Sequence, residues 1–198
     1  DGFIDADPAR ISWSRALKQD LGKNRSYSFE PECVVPGLYR PFTKQWLYFS
    51  RAFNEMVLQM PRIFPAAEAE NLVIGVSAAG EKVAFSALVS RNVPSLHLVD
   101  IEGSQCFPLY LYDEAAQQSD DGLFDSEPSE GPRRRDAITD TGLAHFQSAY
   151  PGEAISKQDL FYYVYGILHS PDYRERYADN LSKELPRIPR VRTTTDFR

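Results

Sequence analysis

The stretch NLVIGVSAAGEKVAFSALVSRNVPSLHLVDIEGSQCFPLYLYD, residues 71–113, decides the fold because it concentrates the strand-forming residues of the chain. It contains four short runs rich in Val, Leu, Phe and Tyr, namely LVIGVS, VAFSALV, LHLV and CFPLYLY. Clusters of Gly, Pro, Asn, Asp and Ser separate these runs and are typical of turns. The pattern predicts a β-meander whose turns present polar groups to a partner.

The flanking regions supply helices and further strands. We expect a helix over residues 8–21, capped by Asp7, since apolar residues recur there at four-residue steps. Strands are predicted over residues 34–40 and 45–50, with the turn PFTK between them, and over MVLQM at 56–60. The fold class is therefore α+β, with a mixed or antiparallel β-meander sheet packed with helices and a C-terminal helical part.

The downstream half is helical by its pattern. Thr139 or Asp140 caps a first helix, and the SKQD sequence at 156–159 has the spacing of a capping box for a second. A third helix is predicted from Pro171 to residue 185. No element is predicted in the basic tail after it, and the chain is expected to be part of something longer.

An acidic segment separates the two halves. Residues 113–136 are rich in Asp, Glu, Ser and Pro and contain little apolar surface, which predicts a flexible linker. An acidic tract that imitates DNA and blocks a basic groove is the alternative. The predicted organisation is a helix plus β-rich recognition part at 1–112, the acidic flexible linker at 113–136, a helical part at 137–190 and the tail of a truncated chain at 191–198.

Composition limits the class of protein. A chain of 198 residues with 42% hydrophobic and 25% charged residues is typical of a soluble fold with one main core. No apolar run approaches the roughly 20 residues that span a bilayer, so no membrane partner is expected. The chain has two cysteines and no secretion signal at its start, which predicts a cytoplasmic location without a disulfide framework.

The net charge of −6 conceals an uneven distribution. Eight acidic residues stand against three arginines within residues 113–136, a local charge of −5, which leaves −1 for the rest of the chain. A basic face is therefore compatible with the total. A domain that binds DNA unaided usually has a clearer surplus of Lys and Arg, so help from another domain is expected.

The sequence contains no convincing catalytic motif. GxGxxG, GxxxxGK[ST], HExxH and CxxC patterns are absent, and the three histidines are scattered. We predict no catalytic, cofactor-binding or metal-binding residue. A further hypothesis, to be weighed against the two given below, is a small hydrolase that uses Cys106 or His97.

Several residues have the chemistry for nucleic-acid contacts. Arg91 and Asn92 lie in a predicted turn, and Arg and Asn side chains make bidentate contacts with guanine and adenine edges. Arg40 and Lys44 lie near strand ends beside aromatic residues, where they hold phosphates or form a solvated rim. Arg62 either contacts a partner from a stiff loop or pairs with Glu68 or Glu70 on the surface.

Three blocks of sequence carry a family resemblance. YRPFTKQWLYFSR at 39–51, FPLYLYD at 107–113 and DLFYYVYGILHSPDYRERYADNLSKELPRIP at 159–189 together resemble the C-terminal region of type ISP restriction-modification enzymes and related adenine-N6 methyltransferases with helicase domains. The resemblance implies sequence-specific recognition of double-stranded DNA for a larger enzyme. The methyltransferase and helicase domains of the same polypeptide are the implied partners. S-adenosylmethionine and ATP are implied for that parent enzyme only.

The expected DNA contacts follow from this resemblance together with the turn chemistry. The predicted residues are Ser77, Lys82, Arg91 and Asn92 for a DNA groove, and Arg40, Lys44, Arg51 and Arg62 for the DNA backbone. The competing hypothesis is a structural or protein-interaction module that clamps the methyltransferase or helicase domain without reading bases.

Overall fold

The computed structural model describes residues 4, 7, 13–78, 80, 84–99, 103–113 and 132–197. The strands are β1 (Val34–Leu38), β2 (Lys44–Tyr48), β3 (Val73–Val76), β4 (Ala87–Ser90), β5 (Val93–Pro94), β6 (Gln105–Pro108), β7 (Tyr110–Tyr112) and β8 (Arg134–Asp136). The helices are α1 (Arg15–Gly22), α2 (Met60–Ile63), α3 (Asp140–Gln147), α4 (Lys157–His169), α5 (Pro171–Arg176), α6 (Ala178–Leu181) and α7 (Thr194–Phe197), with a short 3-10 helix at Pro31–Cys33. The predicted α+β class is confirmed.

The strands form three small sheets. The first has the order β2-β1-β5, the second β4-β3-β6, and the third pairs β7 with β8. Strand β3 is antiparallel to both of its neighbours. Between β4 and β6 the chain leaves the second sheet, and β5 pairs in parallel with β1, with Gly37 opposite Val93. Since Pro94 has no N–H to donate, β5 is suited to this position at a sheet edge.

The predicted strand at residues 96–99 is wrong, because these residues form a turn. Leu98 is 0% exposed and packs over the central strand of the second sheet. A Cβ atom on Gly75 would lie 2.8 Å from Leu98 Cδ2, so glycine leaves the room that Leu98 fills. The alternating apolar pattern arose from one buried side chain in a turn and not from a strand.

The second sheet is the middle layer of the core. Ile74 and Val76 face the helices and pack in a cluster with Phe161 and Leu168 of α4. Val73 belongs to the opposite face, where the buried cluster includes Val35, Ile63, Phe64 and Val93. The sheet is therefore covered by helices on one side and by the first sheet on the other.

Three predicted elements differ from those in the structure. Helix α1 begins at Arg15, because the Ser14 side chain caps it by accepting a hydrogen bond from the Leu17 N–H; residues 8–12 lie outside the described part. The strand predicted at residues 56–60 is wrong, because residues 56–59 form turns and Met60 begins α2. The predicted third helix is divided at Tyr177, whose φ of −113° and ψ of 21° are not helical.

The caps of the other two helices are confirmed. Thr139 caps α3, and Ser156 and Asp159 form a reciprocal capping box at α4. The tail, in contrast, does form an element, since α7 buries Phe197 against Tyr163 with a ring separation of 4.5 Å. Burial of one aromatic ring explains why so short a helix forms there.

The acidic segment is only partly within the described residues. Residues 114–131 lie outside them, so a linker there stays a prediction. The end of the segment is ordered, because Arg134–Asp136 forms β8 and pairs with β7. In the described part of the chain, no helix is long and apolar enough to cross a membrane.

Candidate nucleic-acid interface

The turn at Ser90–Asn92 is fixed by its own first residue. The buried Ser90 hydroxyl donates to the Asn92 carbonyl oxygen at 2.9 Å and accepts from the Asn92 N–H at 3.0 Å. Val93 then enters the first sheet beside Gly37, which anchors the far side of the turn. Arg91 is exposed, and Asn92 is half-buried. The turn thus holds both side chains on a backbone that is already in place.

A polar groove of about 440 Å³ lies beside this turn. We define the polar groove by its lining: Pro36, residues 67–72, Arg91, Asn92, Leu109, Tyr110, Arg134, Gln158 and Tyr162. Two Arg, two Asn and one Gln therefore line a single concave surface, together with Glu68 and Glu70. Arg recognises the guanine edge, and Asn and Gln recognise the adenine edge, so the groove concentrates base-reading chemistry.

Arg134 is a member of this groove that the sequence did not reveal. Its guanidinium carbon lies 4.3 Å from the centre of the Tyr110 ring, a cation–π contact that holds the side chain. Pairing of Tyr112 with Arg134 puts both on the same face of the third sheet as Tyr110. The three consecutive arginines were the available signal, but the surrounding acidic residues favoured a linker.

Asn71 forms part of the polar groove from below and is only 6% exposed. Its amide nitrogen donates to the carbonyl oxygens of Ile63 and Tyr110, each at 2.9 Å. Its amide oxygen accepts from the Leu72 N–H at 2.8 Å and the Tyr110 N–H at 3.1 Å. One side chain therefore ties α2 and β7 to the segment that leads into β3.

Arg40 and Lys44 lie together at the tip of the β1–β2 hairpin. The Tyr39 N–H donates to the Thr43 carbonyl oxygen at 2.8 Å and closes the tip, and both cations are exposed. The exposed Arg51 follows β2, at the end of that strand away from the tip. The structure thus groups two of the four predicted backbone contacts at the tip of this hairpin.

Arg62 is paired with a different acid from the two that the sequence offered. Its guanidinium lies 3.6 Å from Asp113, and Arg135 lies 3.0 Å from the same carboxylate. The alternation of β8 puts Arg135 and Arg134 on opposite faces. Arg62 is thereby separated from the face of the third sheet that carries the groove residues Tyr110 and Arg134.

The carboxylate of Asp113 supports a pH prediction. Its hydrogen bond from Arg135, with the charges of Arg135 and Arg62, lowers its pKa from the ordinary value of 3.8. A lowered pKa in the folded state gives stability that is present above the unfolded value of 3.8 and is lost as the pH falls through the folded-state pKa. The Asp113→Asn variant should therefore be less stable than wild type near neutral pH, and this difference should vanish in acid.

Urea midpoints measured from about pH 7 to about pH 2 test this linkage. The control is Asp179→Asn, which removes an exposed carboxylate that has no ion pair within the described residues. A pH profile of Asp113→Asn that stays parallel to wild type throughout would show that the ion pairs contribute nothing.

The two remaining predicted contacts lie elsewhere. Ser77 is 6% exposed, and its hydroxyl accepts from the Ser86 N–H at 3.0 Å, so it holds the β3–β4 connection together and does not reach the surface. This corrects the expectation of a base contact from Ser77. Lys82 lies outside the described residues.

The described residues do not support the hydrolase hypothesis. Burial raises the pKa of the Cys106 thiol to about 11, so the nucleophilic thiolate is scarce at neutral pH. His97 lies on an exposed turn. No cluster of His, Cys, Asp and Glu with metal-binding geometry occurs in the part of the chain that the structure describes.

Comparisons with known proteins give one matching family and several similar structures. The family described as "Type ISP C-terminal specificity domain" matches this chain over residues 2–198. No curated protein sequence matches this chain significantly. Among solved structures, a DrdV–DNA complex is similar, with 40% sequence identity and a TM-score of 0.77. The ATP-dependent Type ISP restriction-modification enzyme LlaBIII bound to DNA has 31% identity and a TM-score of 0.76. A nuclease-deletion mutant of the Type ISP restriction-modification enzyme LlaGI in complex with a DNA substrate mimic has 32% identity and a TM-score of 0.69.

The similarity covers nearly the whole of this chain and a small part of each neighbour. The matches span 93%, 94% and 99% of this chain, in the same order, but only 16%, 12% and 13% of the neighbouring chains. The shared region therefore corresponds to one part of each large protein.

Proposed function

Because the chain belongs to the family of Type ISP C-terminal specificity domains, we propose that it binds double-stranded DNA and selects the target sequence for a larger restriction-modification enzyme. The observation that carries this proposal is the meeting of Arg91, Asn92 and Arg134 in the polar groove. These side chains match the hydrogen-bonding edges of purines, and the fixed Ser90–Asn92 turn reduces the entropy lost on binding.

The chemistry divides between the groove and the hairpin. Arg91, Asn92 and Arg134 contact base edges, whereas Arg40 and Lys44 contact phosphates. The two surfaces adjoin, since Pro36 lines the groove and is paired with Trp46 in the first sheet. A single DNA duplex can therefore contact both.

The rest of the polypeptide supplies what this chain lacks. Its net charge of −6 is unfavourable for unaided DNA binding, so we assign further phosphate contacts to methyltransferase and helicase domains of the same polypeptide. S-adenosylmethionine and ATP belong to those domains in this proposal. A DNA partner and two free cysteines fit the cytoplasm as the location.

An exchange of domains tests the proposed function. The region equivalent to this chain is replaced, in the full-length enzyme, by that of a relative with a different DNA target, and the methylated sites are mapped. We expect the site of methylation to follow the exchanged region. Retention of the original target by an active hybrid would assign sequence selection to another part of the enzyme.

One observation favours the clamping module as the second candidate. An apolar cavity of about 290 Å³ opens between the second sheet and the helices, and the exposed side chains of Phe107 and Leu185 line it. A neighbouring domain that inserts an apolar side chain there would be held without any base contact. The same exchange distinguishes the two, since a clamp carries no target choice.

A further inference from the structure

The β1–β2 hairpin exposes two large aromatic side chains, Phe42 at its tip and Trp46 in β2. Phe42 is 90% exposed and Trp46 is 77% exposed, the highest values among the large hydrophobic residues that the structure describes. Solvation of so much apolar surface is unfavourable, and contiguous exposed apolar residues commonly mark an interaction site. The tip therefore has the character of a contact surface that lacks its partner.

The backbone of the tip directs Phe42 outward. Arg40 and Phe42 have φ angles of 62° and 69°. Residues other than glycine rarely adopt this left-handed backbone conformation. Pro41 lies between them and restricts the chain further. Because the Tyr39–Thr43 hydrogen bond closes the turn, Phe42 stands at the apex of a stiff hairpin.

The charges around the apex indicate the kind of partner. Residues 33–54 contain Arg40, Lys44 and Arg51 and no Asp or Glu. Arg40 and Lys44 stand on either side of Phe42, two residues away in each direction. A hydrophobic protein surface would not need a cation on each side, whereas a DNA backbone provides phosphates on both sides of a base step.

We propose that the hairpin tip, residues 39–44, inserts Phe42 between two adjacent base pairs while Arg40 and Lys44 contact the flanking phosphates. Apolar wedges of this kind unstack one step and kink the duplex. The cost of unstacking depends on the sequence, so the wedge adds selectivity at a step that no polar side chain reads. This inference rests on the proposed DNA binding and adds a distortion of the duplex to it.

The test uses the full-length enzyme and target duplexes that carry 2-aminopurine at successive positions. Binding of wild type should raise the fluorescence at one base step, because the probe becomes unstacked there. Phe42→Ala should abolish this rise and weaken target binding about 10-fold, a typical loss for one aromatic–base stacking contact. Phe42→Leu, which keeps a large apolar side chain, should retain the fluorescence change.

Leu58→Ala is the matched control. Leu58 is also an exposed apolar residue with a left-handed backbone, at φ 48°, but no cation lies within two residues of it. We expect this variant to bind and to unstack the duplex like wild type. Thermal melting of each variant verifies that the fold is intact.

Each other outcome overturns the proposal in a recognisable way. Wild-type binding without any fluorescence change would exclude insertion and leave target recognition intact. A Phe42→Ala variant with an unchanged fluorescence rise but a lower melting temperature of the full-length enzyme would show that Phe42 packs against another protein domain. Failure of the wild-type enzyme to select any target sequence would contradict both the proposed function and the insertion of Phe42.

Discussion

Replacing Arg91 and Asn92 together by alanine should reduce target-selective DNA binding by about 100-fold or more, since each bidentate base contact contributes roughly 1–3 kcal/mol of discrimination. Both side chains project from a turn that Ser90 holds in place, so their loss should leave the backbone unchanged. The measurement is competition between target and non-target duplexes at a fixed salt concentration. The ratio of the affinities for target and non-target duplexes should fall. The affinity for non-target DNA should decrease only by the contribution of one phosphate contact, because only the charge of Arg91 is lost.

The control for this double variant is Arg192→Ala combined with Asn180→Ala. It makes the same chemical change at two exposed positions outside the polar groove. We expect wild-type selectivity from it. If the Arg91 and Asn92 variant also kept the wild-type ratio, the base-reading surface would have to lie elsewhere.

Asn71→Ala should lower the free energy of unfolding by about 3 kcal/mol, because buried partners left without hydrogen bonds cost roughly 1–3 kcal/mol each. The change removes two donated and two accepted hydrogen bonds at once. The carbonyl oxygen of Ile63 and the backbone groups of Tyr110 lose these partners at a site where Asn71 itself is only 6% exposed. Urea unfolding monitored by circular dichroism measures the loss.

Asn180→Ala again provides the comparison. The Asn180 amide donates to Glu184 on the surface, at 3.1 Å, and water replaces this bond readily. We expect a change below about 0.5 kcal/mol for this variant. An equally small change for Asn71→Ala would mean that the neighbouring backbone groups find other partners.

Much of the local structure follows from the sequence. The β1–β2 hairpin lies within two residues of its predicted limits, because Pro41 interrupts two runs of strand-forming residues. The capping box of α4 was recognisable from Ser156 and Asp159 alone. Such signals act between residues that are close in the chain, so they survive without knowledge of the fold.

Features that depend on distant contacts were not predictable. Leu98 resembles part of a strand until its position over Gly75 is known. Strand β8 depends on a partner that lies before the acidic segment, and its three-residue length gives no periodicity to detect. Nor could spacing show that Asp113 takes both Arg62 and Arg135 as partners.

The candidate site shows the same division. The pairs Arg40 with Lys44 and Arg91 with Asn92 were predicted from turn chemistry, and each pair is together in the structure. Arg134 was missed because its alignment with Tyr110 requires the third sheet. Ser77 lies in a predicted turn, but its hydroxyl accepts a hydrogen bond from the backbone of Ser86.

The Ser90–Asn92 turn has a consequence for how new specificities arise. The Ser90 hydroxyl and the strand pairing of Val93 support the turn, and the side chains of Arg91 and Asn92 form no hydrogen bond within the described parts of the chain. Stability and recognition are thus assigned to different residues. Exchanges at these two positions should cost little in folding, so a lineage that carries this turn can acquire a new DNA target by a few substitutions without first passing through an unstable protein.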